Sequence, residues 1–463
     1  MKKLLNLDYY IENSLEWNSL RCKEQRSPVN KTYKPKDSAP RTMVLKQLGL
    51  QVTENCNLCC TYCYQLKKSP KKLTFDQCKK MIDIVLGLDK EYLTKYCRFE
   101  LESPFCFHLI GGEPLLEDEL CYNCIKYFET KLIENNIDID WYIWIPSNGI
   151  PYFREYSQKI INEYGNRLDF AISMDGCKEC HDACRVYKNG KGSYDDTRKA
   201  YEDFRKRRDY NYTGTKFTMS PQNIKYYSKS IIEWINDGIY QIFSNWELED
   251  EYTEEKAYEY YCAAKECIDY IIDHDLEDVV EYSVLNRTSD HGIPFWNYEG
   301  LCGATGHQLA LIPNGEIYSC VRLASTSLND GVKPIPFGDL ENGFCYTKEM
   351  EDSFNYHMKT TRTSNTNYKC YNCPINDSCH GCIGNDYNKF GLPFIKDCSS
   401  CNMYIADNLI RAYGRNKIYR KKEKLDKNYT FMSYRINVPE KWAIKIIGEE
   451  EFRLLKYLAK EKY

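Results

Sequence analysis

The sequence predicts an α/β protein in which most of a parallel (β/α)6 barrel is followed by a smaller, cysteine-rich domain. Three observations support this prediction. Strand-like and helix-like segments alternate from residue 44 to about residue 275. From about residue 296 this alternation gives way to short segments that carry cysteines. The chain has 463 residues, which is too long for one ordinary hydrophobic core and indicates two or three domains.

The composition excludes several classes of protein. Charged residues make up 28% of the chain and apolar residues 43%, as is typical of globular proteins. The net charge of -4 indicates no nucleic-acid partner. No stretch approaches the roughly 20 apolar residues of a membrane span. Because no basic and then apolar leader opens the sequence either, we expect a cytoplasmic protein without a membrane partner.

The predicted elements follow in order along the chain. Residues 1–43 are polar, contain three prolines and are interpreted as an N-terminal arm. Residues 44–295 form the predicted barrel, with helical segments such as "TFDQCKKMIDIVLGL" and "PQNIKYYSKSIIEWINDG" between the strands. The six predicted strands are "VLKQLGLQVT", "ELESPFCFHLI", "WYIWIPSN", "RLDFAISMD", "YTGTKFTMS" and "GIYQIFSNW". In a barrel of this kind, chemistry gathers at the C-terminal ends of the strands.

The second half of the chain is predicted as two further units. Residues 296–402 form the cysteine-rich domain, and residues 403–463 form C-terminal helices, including "NMYIADNLIRAYG" and "EEEFRLLKYLAKEK". The basic run "RNKIYRKKEK" lies between these two helices. We interpret it as a solvated face, with docking of an acidic peptide as the alternative.

The 24 cysteines are the main anomaly of the composition, because a reducing compartment favours metal binding or catalysis over disulfides. Directly after the first strand, "NCNLCCTYCY" carries Cys56, Cys59, Cys60 and Cys63. Two CxxC pairs would form a closed four-thiolate structural site. A CxxxCxxC pattern would use only Cys56, Cys60 and Cys63, which leaves an open position for a reactant. The motif by itself permits both interpretations.

Polar motifs follow the other predicted strands. "HLIGGEPLLEDE" ends the second strand, "SNG" the third and "SMDG" the fourth, which "HDACRVYKNGKGSYD" follows. "FTMSPQNIKY" ends the fifth strand. Gly111 and Gly112 are predicted to permit close backbone approach, and Glu113 supplies a carboxylate for a cation. Candidate binding residues in these motifs are Gly111, Gly112, Glu113, Ser147, Ser173, Arg185 and Ser220.

Taken together, these motifs resemble those of the radical SAM enzymes, in particular their peptide-modifying branch. The resemblance implies a partial TIM-type radical SAM barrel and a 4Fe–4S cluster on Cys56, Cys60 and Cys63, with Cys59 as a bystander. S-adenosylmethionine would bind the open iron and be cleaved to methionine and a 5′-deoxyadenosyl radical. These three cysteines are therefore the expected radical-generating, catalytic residues.

The resemblance also implies roles for the other motif residues. Tyr62, the aromatic residue before the third cysteine, would meet the adenine through its backbone. The element at 111–113 would lie against the amino group of the methionine moiety. Ser173 and Arg185 are the candidates for its carboxylate, where a guanidinium makes a bidentate contact. Ser220 would line the nucleoside.

The cysteines of the second half, taken alone, would be a credible zinc site. Behind a radical SAM barrel they resemble a SPASM domain, which holds two auxiliary 4Fe–4S clusters. The resemblance implies an outer cluster on Cys370, Cys373, Cys379 and Cys401, with Cys401 preferred to Cys398. It implies an inner cluster on Cys302, Cys320 and Cys382.

The inner cluster would have an unassigned fourth ligand. Fully ligated members of the family carry a further cysteine where this chain has Gln308. The fourth position is therefore open, or filled by His307 or Cys398. An open iron would suit the binding of a substrate cysteine. The spacing in "CHGC" is one residue shorter than is usual in the family.

The function that the resemblance implies is maturation of a cysteine-containing, ribosomally synthesised precursor peptide, with thioether crosslinks as the product. A ferredoxin-type or flavodoxin-type electron donor is expected, and a separate leader-binding protein is a possible further partner. The alternatives on the same scaffold are carbon–carbon or carbon–oxygen crosslinking and epimerisation. Sulfatase-type maturation is disfavoured, because Val321 stands where those enzymes carry an aspartate. A protein that only transfers electrons or binds zinc would not need "GGEP" or "SMDG".

Overall fold

The computed structural model describes residues 41–95, 97–208, 215–285, 302–359, 370, 373–379, 381–391, 396–426, 429–430 and 433–460. The predicted N-terminal arm lies almost wholly outside these residues.

Two parallel sheets form the first half of the described chain. Their strands are β1 (Arg41–Thr53), β2 (Cys97–Gly111), β3 (Trp141–Ser147), β4 (Leu168–Ile172), β5 (Thr215–Met219), β6 (Gln241–Trp246) and β7 (Glu281–Tyr282). Strands β1 to β4 pair in chain order, as do β5 to β7, and every pair is parallel. Between β4 and β5 there is contact, but the described residues form no ladder there. All six predicted strands are thus confirmed.

Helices connect these strands, because parallel neighbours require a long crossover. They are α1 (Phe75–Val85), α2 (Lys90–Lys95), α3 (Asp118–Glu134), α4 (Glu155–Tyr164), α5 (Lys178–Cys184), α6 (Tyr194–Arg207), α7 (Tyr227–Asn236) and α8 (Glu254–Asp273). Helix α1 shows why its sequence is helical. Thr74 and Gln77 form a capping box at its start, and its apolar residues recur every three or four positions on the buried face.

The second half extends the first sheet. Its strands are β8 (Gln308–Leu311), β9 (Glu316–Tyr318), β10 (Gly338–Asp339) and β11 (Gly343–Phe344). Strand β8 pairs with β1 in parallel, and β9 to β11 add antiparallel strands. Helices α9 (Lys348–Lys359) and α10 (Ile383–Phe390) follow. One continuous sheet therefore joins the two predicted domains across the boundary predicted at residue 296.

Two long helices, α11 (Cys401–Leu425) and α12 (Glu440–Ala459), end the described chain. Helix α11 packs against α8 and continues through the basic run, beyond the end predicted for it. Lys417 forms an ion pair with Asp269 at 2.7 Å, and Lys421 forms one with Glu277 at 2.7 Å. The interpretation of this run as a solvated face is corrected: most of it is half-buried against acidic residues at the end of α8 and beyond.

No helix within the described residues is both long enough and apolar enough to span a bilayer.

Candidate active site and cysteine groups

A cavity of about 480 Å³ is lined by residues from the two sheets that contain the first six parallel strands. Each of the first six strands, together with the residue directly after it, contributes to the wall two residues that are two positions apart in the sequence. They are Gln47 and Gly49, His108 and Ile110, Trp144 and Pro146, Ala171 and Ser173, Lys216 and Thr218, and Asn245 and Glu247. Alternate residues of a strand share one face, so this pattern is that of strands around a common interior.

The cysteine loop after β1 forms part of this wall. Cys56, Cys60 and Cys63 all line the cavity. Cys59 is exposed, and its backbone N–H donates to the carbonyl of Val186 at 2.7 Å. The structure therefore brings together the three cysteines of the CxxxCxxC interpretation and turns the fourth away from them.

The donor set of this loop fits an iron–sulfur cluster. Three thiols, which are the ligands such clusters take, face one cavity and lie close enough to affect each other electrostatically. Burial raises the pKa of Cys56, and that of Cys60 to about 12. Lys68 Nζ donates to Cys63 Sγ at 3.1 Å. Among the described side chains, no three of the His, Cys, Asp and Glu type converge on a position for a single metal ion.

Gly111 and Gly112 allow the turn after β2 to pack directly on the cysteine loop. A Cβ atom at Gly111 would lie 2.5 Å from the carbonyl oxygen of Thr53, and one at Gly112 would lie 2.3 Å from that of Asn55. The N–H of Gly112 donates to the Thr53 carbonyl at 2.9 Å. These glycines are needed for close backbone approach, as predicted, and the backbone they approach is that of the cysteine loop.

Glu113 presents a buried carboxylate to the cavity. Its oxygens accept hydrogen bonds from the Ser147 hydroxyl at 2.8 Å, from the N–H of Asn148 at 2.7 Å and from the N–H of Leu115 at 3.2 Å. Burial raises the pKa of Glu113 to about 7 in spite of these three donors. Ser147, a predicted binding residue, therefore orients Glu113 within the cavity wall.

Arg185 and Tyr62 meet at a residue that the sequence analysis did not single out. Asp175, inside the "SMDG" motif, is fully buried and accepts hydrogen bonds from Arg185 Nε at 2.7 Å and from the Tyr62 hydroxyl. It also accepts one from the N–H of Thr218 at 2.9 Å. The guanidinium carbon of Arg185 lies 5.4 Å from the centre of the Tyr62 ring. Asp175 thus holds Arg185 and Tyr62 at the cavity. Its position within the "SMDG" motif is the sequence feature from which this role could have been predicted.

The other two predicted serines, Ser173 and Ser220, differ in their positions. Ser173 lines the cavity, and its N–H donates to the carbonyl of Ser147 at 2.8 Å, which ties β4 to β3. The Ser220 hydroxyl instead lies 3.4 Å from Cys184 Sγ and is buried away from the described wall. Strand β5 reaches the cavity through Lys216 and Thr218. The role of Ser220 at a nucleoside stays a prediction.

Further charged residues of the cavity were missed by the sequence analysis. Lys216, Glu247, Glu249 and Arg322 all line it, and Arg322 forms an ion pair with Glu249. Burial raises the pKa of Glu247 to about 8. The period of two along β5 would have placed Lys216 on the inner face, whereas Arg322 reaches the cavity only through the tertiary fold.

The predicted inner group is assembled beside the same cavity. Burial raises the pKa of Cys302 and of Cys320. Electrostatic repulsion from Cys382 and Cys320 raises the pKa of Cys302 further, and repulsion from Cys382 raises that of Cys320, so the three thiols lie close together. Cys320 lines the cavity, and the side chain of Gln308 hydrogen-bonds to it. His307 Nδ1 lies 3.3 Å from the carbonyl of Val44. The inner group therefore opens on the cavity that the first three cysteines line.

The predicted outer group contains one more thiol than expected. Cys370 and Cys401 each form a hydrogen bond with Cys398. Cys379 interacts electrostatically with Cys373 and Cys398. The sequence analysis preferred Cys401 to Cys398 as the last ligand of the outer cluster, and the structure brings both residues to the outer group.

Comparison with known proteins identifies relatives by sequence. No protein-family model matches the chain. An uncharacterized protein from Methanocaldococcus jannaschii is 34% identical over 157 residues, which are 34% of this chain and 47% of that protein. The cysteine-type anaerobic sulfatase-maturating enzyme of Clostridium novyi is 31% identical over 154 residues, or 32% of this chain and 37% of the enzyme. The chain thus aligns with less than half of the length of these two relatives.

A longer alignment and the solved structures extend the similarity to most of the chain. The radical SAM cyclopropyl synthase TigE of Paramaledivibacter caminithermalis is 22% identical over 390 residues, covering 78% of this chain and 72% of the synthase. Native anSMEcpe with bound AdoMet and Cp18Cys peptide matches with a TM-score of 0.58 at 17% identity, over 83% of this chain and 100% of that one. Streptococcus suis SuiB bound to precursor peptide SuiA matches with a TM-score of 0.50 at 14% identity, over 77% of this chain and 76% of that one. The chain is therefore similar in sequence to enzymes that include radical SAM maturases, and it shares the fold of these two solved structures.

Proposed function

We propose that the chain is a radical SAM peptide maturase that forms thioether crosslinks at cysteines of a ribosomally synthesised peptide. One observation carries the proposal: Cys56, Cys60 and Cys63 line the same cavity as Cys320 of the inner group. A peptide bound in this cavity reaches both groups of cysteines. The peptide-bound structures of anSMEcpe and SuiB support a peptide partner.

The cysteine groups would hold the cofactors. Cys56, Cys60 and Cys63 would hold one 4Fe–4S cluster, and the inner and outer groups would hold two auxiliary clusters. When bound, the first cluster supplies the electron that cleaves S-adenosylmethionine to methionine and a 5′-deoxyadenosyl radical. A ferredoxin-type or flavodoxin-type protein in the cytoplasm would be the electron donor, and leader recognition could lie on a separate protein.

The side chains of the cavity would orient S-adenosylmethionine. The Glu113 carboxylate, fixed by three hydrogen bonds, would accept a hydrogen bond from the cationic amino group. Arg185 and Ser173 would hold the carboxylate, while Asp175 keeps the guanidinium in place through its Nε. The backbone at Tyr62 would meet the adenine. Opposite charges at the two ends of the amino acid moiety would then allow one orientation only.

Product analysis tests the proposal. The chain is co-expressed without oxygen with the small cysteine-containing peptide encoded next to its gene, and the mass of the peptide is measured before and after thiol alkylation. We expect the loss of two hydrogens per site and a cysteine that resists alkylation after reduction. The same loss with an alkylatable thiol would assign a carbon-centred crosslink instead.

Two cysteine variants provide the matched control. Cys60→Ala removes a thiol of the cavity wall and should abolish formation of 5′-deoxyadenosine. Cys59→Ala removes the exposed neighbouring thiol and should leave it unchanged. An unmodified peptide and no 5′-deoxyadenosine with the cluster-loaded wild-type protein would contradict the proposed function.

A further inference from the structure

Lys68 is a cation beside the first cysteine loop that the proposed function does not use. Its Nζ atom donates a hydrogen bond to Cys63 Sγ at 3.1 Å, and the side chain lines the same cavity as that thiol. Among the hydrogen bonds that described residues donate to Cys56, Cys60 and Cys63, this one is the shortest and comes from a charged group. Hydrogen bonds from charged donors are roughly twice as strong as those between neutral groups.

A buried glutamine holds the ammonium group in this position. Lys68 Nζ donates a second hydrogen bond to the side-chain oxygen of Gln65 at 3.2 Å. Gln65 is 3% exposed, and its side-chain nitrogen donates to the carbonyl of Glu54 at 3.0 Å. The reverse orientation of this amide would place two donors together and two acceptors together. The amide oxygen of Gln65 is therefore directed at Lys68.

The backbone on both sides of Lys68 is tied to other parts of the protein. The N–H of Lys67 donates to the carbonyl of Thr326, in the second half of the chain, at 3.0 Å. The carbonyl of Lys71 accepts a hydrogen bond from the N–H of Glu54, directly after β1, at 2.9 Å. The folded structure thus fixes the segment from which Lys68 reaches the cysteine loop.

A cation at this thiol affects an iron–sulfur cluster that the thiol holds. The net charge of such a cluster and the hydrogen bonds to its sulfur atoms are among the factors that set its reduction potential. Reduction adds one negative charge, and a neighbouring ammonium group attracts that charge. Cys63 and Lys68 are both half-buried, so water screens this attraction less than it would at the surface. The hydrogen bond from Lys68 therefore favours the reduced state.

We propose that Lys68 acts through Cys63 to raise the reduction potential of the first 4Fe–4S cluster, so that the electron donor can reduce it. One electron passes from the donor protein to the cluster in this step, and no bond forms or breaks. This inference rests on the cluster assigned in the proposed function and adds a positioning residue to it. It does not depend on which bond the enzyme forms in the peptide.

The first test measures the reduction potential. The full-length, cluster-loaded protein is titrated with a reductant without oxygen and followed by electron paramagnetic resonance. The signal of the first cluster is the one that Cys60→Ala lacks. Lys68→Met should make the one-electron reduction at least tenfold less favourable, which lowers the midpoint by at least about 59 mV. Lys68→Arg keeps the charge and should restore most of this shift, whereas Lys68→Gln lacks the charge and should shift the midpoint in the same direction as Lys68→Met.

Lys67→Met is the matched control for this test. Lys67 is the neighbouring lysine, but its side chain is 50% exposed and forms an ion pair with Asp330 at 2.9 Å. Its removal changes the net charge equally and should alter the reduction equilibrium less than twofold. Equal midpoints in the wild type and Lys68→Met, or equal shifts in Lys68→Met and Lys67→Met, would overturn the inference. Absence of any signal that depends on Cys60 would overturn the cluster assignment itself, and the inference with it.

The second test separates an altered potential from damage to the site. Formation of 5′-deoxyadenosine is measured with dithionite and with titanium(III) citrate, which is the stronger reductant. Lys68→Met should be at least threefold slower than the wild type with dithionite and as fast as the wild type with titanium(III) citrate. Equal rates with dithionite, or an equal loss with both reductants, would overturn the inference. Neither test uses a peptide, so a failure to form thioethers would leave both results unchanged.

Discussion

Glu113 is a buried acid whose surroundings favour the binding of a cation. Three donors fix its carboxylate, yet burial still raises its pKa to about 7. A carboxylate in this state is protonated for part of the time near neutrality, and a nearby ammonium group favours its charged form. Binding of a cationic ligand and ionisation of Glu113 are therefore linked.

The variant Glu113→Gln tests this link. It should weaken S-adenosylmethionine binding by about 10- to 100-fold, since a hydrogen bond to a charged group contributes roughly 1.5–3 kcal/mol. Wild-type affinity should rise as the pH rises through about 7, because the carboxylate that attracts the amino group forms in that range. The variant should show no such rise. Equilibrium dialysis of the cluster-loaded protein across this pH range measures both effects.

The control for this prediction is Glu117→Gln. Glu117 follows on the same turn but pairs with Lys72 at 2.9 Å at the surface. The affinity of the Glu117→Gln variant for S-adenosylmethionine, and the pH dependence of that affinity, should match those of the wild type. An identical pH dependence in Glu113→Gln would refute the role assigned to Glu113.

Asp175 is the second residue on which the site depends. It is fully buried, and its ion pair with Arg185 connects the "SMDG" turn to the cavity. Removing one partner of a buried pair leaves the other charge without compensation. Asp175→Asn should therefore lower the free energy of unfolding by about 3–5 kcal/mol, as measured by urea denaturation. Asp195→Asn, which breaks the exposed pair with Lys178, should have no measurable effect; similar losses in both variants would contradict the argument.

At the scale of elements, the site depends on two turns that touch. The turn after β2 packs on the cysteine loop after β1, and the two backbones approach too closely for a side chain at Gly112. The parallel pairing of β1 with β2 brings both turns to the same end of the sheet. The glycine pair is therefore a packing requirement of the cysteine loop.

The substitution Gly112→Ala tests this requirement. Its Cβ would lie 2.3 Å from the Asn55 carbonyl, so the cysteine loop must shift. We expect a loss of about 1–3 kcal/mol in the free energy of unfolding, as for overpacked interiors, and less iron bound per chain after reconstitution. Gly165→Ala is the matched control, because no atom lies within 4 Å of the added Cβ. Wild-type iron content and stability in Gly112→Ala would refute the prediction.

At the scale of the whole molecule, helix α11 is attached to the barrel by its packing against α8. Asp407 and Arg411 of α11 form an ion pair at 2.7 Å, and both side chains are 1% exposed. The hydroxyl of Tyr260, on α8, donates to Asp407 at 2.8 Å. A buried charge thus receives one of its hydrogen bonds from the other helix.

Removing the Tyr260 hydroxyl should weaken the contact between α8 and α11. Tyr260→Phe removes one hydrogen bond to the buried Asp407 carboxylate, which should lower the free energy of unfolding by about 1–3 kcal/mol. Tyr258→Phe, on the exposed side of the same helix, is the control and should change stability little. Thermal unfolding of the two variants under identical conditions makes the comparison. Equal midpoints would show that the hydroxyl does not hold the helices together.

Much of this arrangement could be predicted from local patterns. Alternating strands and helices predicted the parallel barrel, because each strand must bury apolar residues and each crossover requires a helix. The short spacing within the cysteine loop predicted that its thiols lie close together. The resemblance of the surrounding motifs to those of radical SAM enzymes then favoured Cys56, Cys60 and Cys63 over a four-cysteine site. Gly111 and Gly112 were predicted to allow close backbone approach, because only glycine leaves that space.

Other features depended on contacts between distant parts of the chain. That Cys320 opens on the cavity of the first cysteine loop follows from the pairing of β8 with β1, which no local pattern of residues specifies. The basic run of α11 is half-buried because acidic residues at the end of α8 and beyond it lie opposite. Lys216 has an inner position that the period of two predicts, whereas Arg322 reaches the same cavity only through the tertiary fold. The sequence by itself determined the elements and the cysteine motif, since both arise from short-range geometry. Only the tertiary structure decided which charges and thiols share the cavity, because that depends on how distant segments pack.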